Sequence, residues 1–125
     1  KVPDLGRVTK PISAEEFENL DMKDAEGKRV SLSDNVGVFN KKITNMIKRV
    51  KDLEKIQKQS GYSNLQRQQL RLEQEQLVRD LYAISDGVLS LGDSFISSKG
   101  SSKSVGYKQS VKKITGQIPF SLRRN

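Results

Sequence analysis

The side chains with most chemistry to offer are cations. Lys41, Lys48 and Lys55 recur every seven residues, with Lys51 and Lys58 offset beside them. A second set, Lys99, Lys103, Lys108, Lys112, Lys113, Arg123 and Arg124, lies entirely beyond the last acidic residue, Asp93. On a helix the heptad spacing gathers the first set into one outward stripe, which is the geometry a phosphate backbone meets. Such contact would be electrostatic, salt-sensitive and blind to sequence. Tyr107 and Phe120 are the only aromatics in the C-terminal set, which is thin for base stacking. The plainer reading is that a helix with an apolar seam turns lysines outward for solubility.

Other chemistries find few residues to carry them. The 125 residues include no His and no Cys, which removes imidazole catalysis, thiol chemistry, Cys/His zinc sites and Ser-His-Asp triads together. Glu15, Glu16, Glu18, Asp21, Asp24 and Glu26 form an acidic group, but without the twelve-residue loop and closing Glu of a calcium hand it reads as a solvated face. There is no Gly-x-x-x-x-Gly-Lys-Ser/Thr phosphate loop. Lys and Ser are too abundant for one nucleophile to stand out. The inventory therefore points away from an enzyme, with no catalytic residue, metal, cofactor or small-molecule substrate expected.

The stretch from Phe17 to Leu32, with its acidic turn, Gly27-Lys28 and then Val30-Ser31-Leu32, resembles the opening hairpin of redoxins such as peroxiredoxins. The chain departs from that family in having no cysteine and no following alternation of strand and helix, so we reject homology.

The cations must be positioned by helices. Val36, Phe39, Ile43, Met46, Val50 and Leu53 alternate three and four apart, a heptad seam widened by Ile47 and Ile56, and predict a helix over 35–59. Leu70, Leu77, Leu81, Ile84, Val88, Leu91 and Phe95 form a second seam, interrupted by Arg67 and Gln74, over 64–96. Between them Gly61 suits a left-handed cap, and Ser63 with Gln66 suits a capping box. So short a loop makes the helices antiparallel neighbours. Pairing Arg49 with Glu73 and Lys42 with Asp80 is symmetric about position 61, where the loop falls, and sets the register.

That register leaves Val88, Leu91 and Phe95 without partners on the first helix. Ser13 with Glu16, and Ile12 with Phe17, read as a capping box and hydrophobic staple opening a short helix to about Leu20, whose Phe17 and Leu20 could cover the overhang. Gly87 and Gly92 predict an end or kink near Asp86. Residues 97–104, rich in Ser, Gly and Lys, read as a flexible linker. Beyond it Val111, Ile114, Ile118, Phe120 and Leu122, broken by Gly116 and Pro119, read as a tail that orders on a partner.

The fold class expected is all-α: a long antiparallel, coiled-coil-like helical hairpin over 33–96, an N-terminal arm with a short helix and turn over 1–32, and an extended basic tail over 97–125. No run approaches a membrane span, and the lack of cysteine fits a cytoplasmic or virion setting. The net charge of +8 is concentrated in 33–60 and 94–125, with seven basic residues each against three and no acidic ones. Seven glutamines from Gln57 to Gln76 surround the hairpin tip. A chain with 34% hydrophobic residues is expected to complete its core against another copy or a larger complex. The first reading is thus a structural subunit assembling through its seam into an oligomer or particle, such as a virion or secretion apparatus. The alternative is a sequence-nonspecific nucleic-acid-binding protein.

Overall fold

The computed structural model describes residues 10–20, 22–30, 35–91 and 101–124. Its elements are α1 (Ala14–Glu18), α2 (Val36–Gln57), α3 (Asn64–Leu91), α4 (Ser101–Lys112), α5 (Ile114–Gln117) and a 3-10 turn at Phe120–Leu122. The fold is all-α, helix packed on helix. Among the described residues no helix is long and apolar enough to cross a membrane.

The heptad spacing yields α2 and α3, which pack as antiparallel neighbours. Phe39, Ile43, Val50, Leu53, Leu81, Ile84 and Val88 are buried, and Val36, Met46 and Leu77 are partly buried against them. Leu70 is half-buried, Leu91 ends α3, and Phe95 lies outside the described residues. Val78 and Tyr82, which the heptad count passes over, are also fully buried, because a helix covered on two sides needs a stripe wider than a bare seam.

The hairpin end is built from local polar contacts. Gly61 has φ +95°, a conformation open to residues without a Cβ. Gln66 N–H donates to Ser63 Oγ at 3.1 Å, and Ser63 N–H to Gln66 Oε1 at 2.8 Å. Arg67 lies at the C-terminal end of α2 and donates to the carbonyls of Gln57, of Gln59 at 2.8 Å and of Tyr62 at 3.3 Å. A cation there meets carbonyls that the helix leaves without amide partners. Gln74 is buried but satisfied: its Nε2 donates to Val50 O and Glu54 Oε1, both at 3.1 Å, and its Oε1 accepts from Gln57 Nε2 at 2.8 Å. These two residues interrupt the apolar seam and fix its alignment. Arg49 donates to Glu73 through Nε at 2.8 Å and Nη2 at 3.2 Å, as the register predicts. That hydrogen bond holds the guanidinium above its ordinary pKa. Asp80 accepts from Gln76 Nε2 at 3.0 Å.

The C-terminal segment corrects the expectation of an extended tail. Residues 101–117 are helical apart from Lys113, and Tyr107, Val111, Ile114, Ile118 and Leu122 are buried in the same core as the hairpin. The physical reason is the spacing of 107, 111, 114 and 118 by four, three and four. That is the grammar of α2 written in a Ser- and Lys-rich stretch, and the two seams leave a third side to cover. α4 therefore lies against both α2 and α3. Gly106 allows the approach, since a Cβ there would come within 2.7 Å of Val36 Cγ1. α4 and α5 thus cover a third side of the hairpin from within the chain.

The overhang is covered from both ends of the chain. α1 carries the anticipated capping box, with Ser13 and Glu16 exchanging hydrogen bonds at 3.1 Å. Its Phe17 meets Phe39 and Tyr107 with ring centroids 5.8 and 5.5 Å away, and Phe39 and Tyr107 stand 5.1 Å apart. α3 does not end at Gly87 but runs through it to Leu91. The glycine serves a close approach instead, because a Cβ there would lie 2.5 Å from Ile12 Cγ1 and 2.7 Å from Ile12 O. Ile12 N–H also donates to Ala83 O at 3.1 Å. Helix propensity alone makes Gly87→Ala stabilising by about 1 kcal/mol. The packing predicts the opposite, a loss of about 1–3 kcal/mol as the Ile12 backbone is displaced, to be read as a lower urea midpoint.

Candidate anion-binding interface

With 3.6 residues per turn, Lys48, Lys51, Lys55 and Lys58 fall on the flank of α2 turned toward α4 and α5, and Lys41 marks its outer edge. All five are exposed. The flank is fixed by contacts at its inner border. Lys113 Nζ donates to Asn40 Oδ1 at 3.0 Å and Thr44 Oγ1 at 2.8 Å, and Lys51 Nζ donates to Gln117 Oε1. A cleft of about 390 Å³ opens there, with Ile47 at its base and Lys48, Lys51 and Lys113 around it.

The flank is electrostatically one-sided. Lys58 stands 3.9 Å from Glu54, which also accepts from Gln74, and Asp52 borders the flank on the crest of the helix, where its charge acts on Arg49. α4, α5 and the turn after them contribute no acidic residue. Long, exposed lysines reach outward on flexible stems. The cleft can therefore take an anionic oxygen, and the row behind it can follow a chain of them.

Comparison with protein-family models, with curated proteins and with solved structures gave no match. The geometry is therefore the ground on which function is argued.

The structure joins two sets of cations that sequence reading treats as separate. Lys113, from the supposed tail, reaches the α2 flank. The other tail cations divide. Lys112 is exposed on α4 and Lys108 is half-buried there. Lys103 belongs to α4 without a described side chain, and Lys99 lies outside the described residues. Arg123 and Arg124 are committed within the molecule. Arg123 donates to Ile118 O at 2.9 Å and Gly116 O at 3.2 Å, with its guanidinium 5.6 Å from the Phe120 ring centre. Arg124 meets both carboxylate oxygens of Asp86, at 2.6 and 2.5 Å, and lies 4.4 Å from the Tyr82 ring centre. These two arginines secure the end of the fold.

Asn40, Thr44 and Gln117 are the residues that sequence reading missed. The signal that could have found them is the apolar spacing of α4 and α5, which brings 113 and 117 against α2. In the acidic group, Glu16 closes the α1 cap and Asp24 Oδ1 accepts the amides of Glu26 and Lys28 at 3.0 and 2.9 Å. Both act in local structure.

Proposed function

We propose that the protein is a non-enzymatic interaction module that grips the phosphate backbone of a nucleic acid along the α2 lysine flank, without reading its sequence. The observation that carries this reading is the convergence of Lys48, Lys51 and Lys113 on one cleft, continued by Lys41, Lys55 and Lys58 along the same helix. Cations in a row with few neighbouring carboxylates suit a polyanion better than a single small anion. With no aromatic side chain among the described residues that line the cleft, contact with phosphate and sugar supplies most of the affinity.

The test is the affinity for a labelled mixed-sequence oligonucleotide between about 50 and 200 mM salt. The expected log–log slope is about −3 to −5, near one unit per phosphate neutralised. Oligonucleotides of unrelated sequence are expected to bind alike. A flat salt response, or no binding at the lowest salt, defeats the reading.

Assembly into a larger particle is the second reading, and one observation favours it. At the hairpin tip Leu65 and Leu72 are 64% and 57% exposed, seven residues apart on α3, among the glutamines. Since the described seam residues from Val36 to Val88 pack within the chain, such assembly would use this tip. Light-scattering mass recorded with the 260/280 nm absorbance ratio separates the two: a protein-only oligomer favours assembly, and a monomer that sheds nucleic acid at high salt favours the first reading.

A further inference from the structure

The other flank of α2 carries a groove of different chemistry, about 870 Å³ in volume, between that helix and the turn after α1. Its floor is apolar, made by Met22, Val38, Met46 and Leu77. Lys23, Lys41, Lys42 and Arg49 stand around the floor. Among the described lining residues the one acidic side chain is Asp24, and its Oδ1 is occupied by the amides of its own turn. Arg49 is paired with Glu73 and Lys42 is half-buried, so the exposed Lys23 and Lys41 contribute most.

The wall is built rather than loose. Val30 N–H donates to Met22 O at 3.1 Å and Asp24 N–H to Lys28 O at 3.0 Å, closing a small hairpin around the antiparallel bridge of Lys23 and Arg29. Along α2 the lining runs from Asn35 to Arg49, about 20 Å or four helical turns. Both methionines of the chain lie in this groove. Met22 is buried beneath the floor, and the half-buried Met46 offers a thioether that adapts to the shape of an incoming apolar group.

A phosphate backbone gains nothing from such a floor. A helix with apolar residues at i, i+3, i+4 and i+7 fills it, and carboxylates on the flanks of that helix meet the lysines. We propose that this groove docks an amphipathic helix of a protein partner, apolar along one stripe and acidic on either side of it. This surface is independent of the nucleic-acid reading, since only Lys41 is common to both.

The experiment uses the full chain with 13C-methyl methionine, whose spectrum contains two signals, Met22 and Met46. The probe is a designed four-turn peptide with Leu on one stripe and Glu on its flanks. Saturable binding that shifts both methyl signals is expected, while a peptide of the same composition with its stripe scrambled binds at least about tenfold more weakly. Val38→Glu and, independently, the surface change Lys23→Glu are each expected to weaken the ordered peptide by about tenfold, with Lys48→Glu leaving it unchanged. Unshifted methyls, equal binding of the scrambled peptide, indifference to Lys23→Glu, or the same methyl shifts from a duplex oligonucleotide would each overturn the proposal.

Discussion

Tyr107→Ala is expected to destabilise the protein by about 3–5 kcal/mol, the range for removing a buried aromatic ring. Tyr107 is fully buried and meets both Phe17 and Phe39 edge-on or tilted, so its loss opens a void at the one point where α1, α2 and α4 converge. Domains of this size have about 5–15 kcal/mol in total. The variant should therefore show a strongly lowered urea midpoint and loss of structure on modest warming, followed by far-ultraviolet circular dichroism. Val105→Ala, on the same helix but 52% exposed, is the control and should stay within about 0.5 kcal/mol. A tail that orders only on a partner would make both substitutions silent in the isolated protein. Equal, small effects would overturn the packed position of α4.

Replacing Lys48, Lys51 and Lys113 together by Gln is expected to lower nucleic-acid affinity by roughly 100- to 1,000-fold near 0.1 M salt. Each phosphate contact accounts for about one unit of the log–log salt slope, so three lost contacts should flatten the slope by about three and remove a comparable power of ten from the affinity. Lys48 is exposed, and Lys51 and Lys113 make hydrogen bonds to neutral side chains that Gln can partly replace, so folding should survive. Circular dichroism of the same preparation checks this. The matching control is Lys112→Gln, which removes one tail charge outside the cleft and should cost less than about tenfold. If the loss of log affinity per charge removed is the same in the triple variant and the control, the net charge of the chain rather than the cleft explains binding.

Much of the hairpin is written locally, which is why sequence reading reaches it. Heptad spacing specifies α2 and α3, Gly61 and Ser63 punctuate them, and the Arg49–Glu73 pair reports their alignment through residues that face each other across a short loop. The third side was harder, because its signal is non-local. Tyr107, Val111, Ile114 and Ile118 carry a helical spacing, but the serines, lysines and glycines around them have the composition of a linker, and burial comes from α2 and α3 together, with the α2 side more than 50 residues away in sequence, as the contacts of Lys113 with Asn40 and Thr44 illustrate. Gly87 misled for a related reason. Propensity treats glycine as a weakness of its own helix, whereas here its lack of a side chain serves Ile12, a residue of another segment. Of the candidate site, the α2 stripe was legible from its sevenfold spacing. Its union with Lys113, and the withdrawal of Arg123 and Arg124 into intramolecular contacts, required the tertiary fold.

The two ends of the described chain meet on one stretch of α3: Ile12 rests on Ala83 and Gly87, while Arg124 reaches Tyr82 and Asp86. During synthesis this imposes an order in time. The hairpin can zip as soon as α3 leaves the ribosome, since its contacts are close in sequence, but its uncovered side must wait until residues beyond Leu122 have emerged. A nascent chain halted before that point presents a ready helical pair with an open apolar flank, the state in which a holding chaperone or premature self-association would find it.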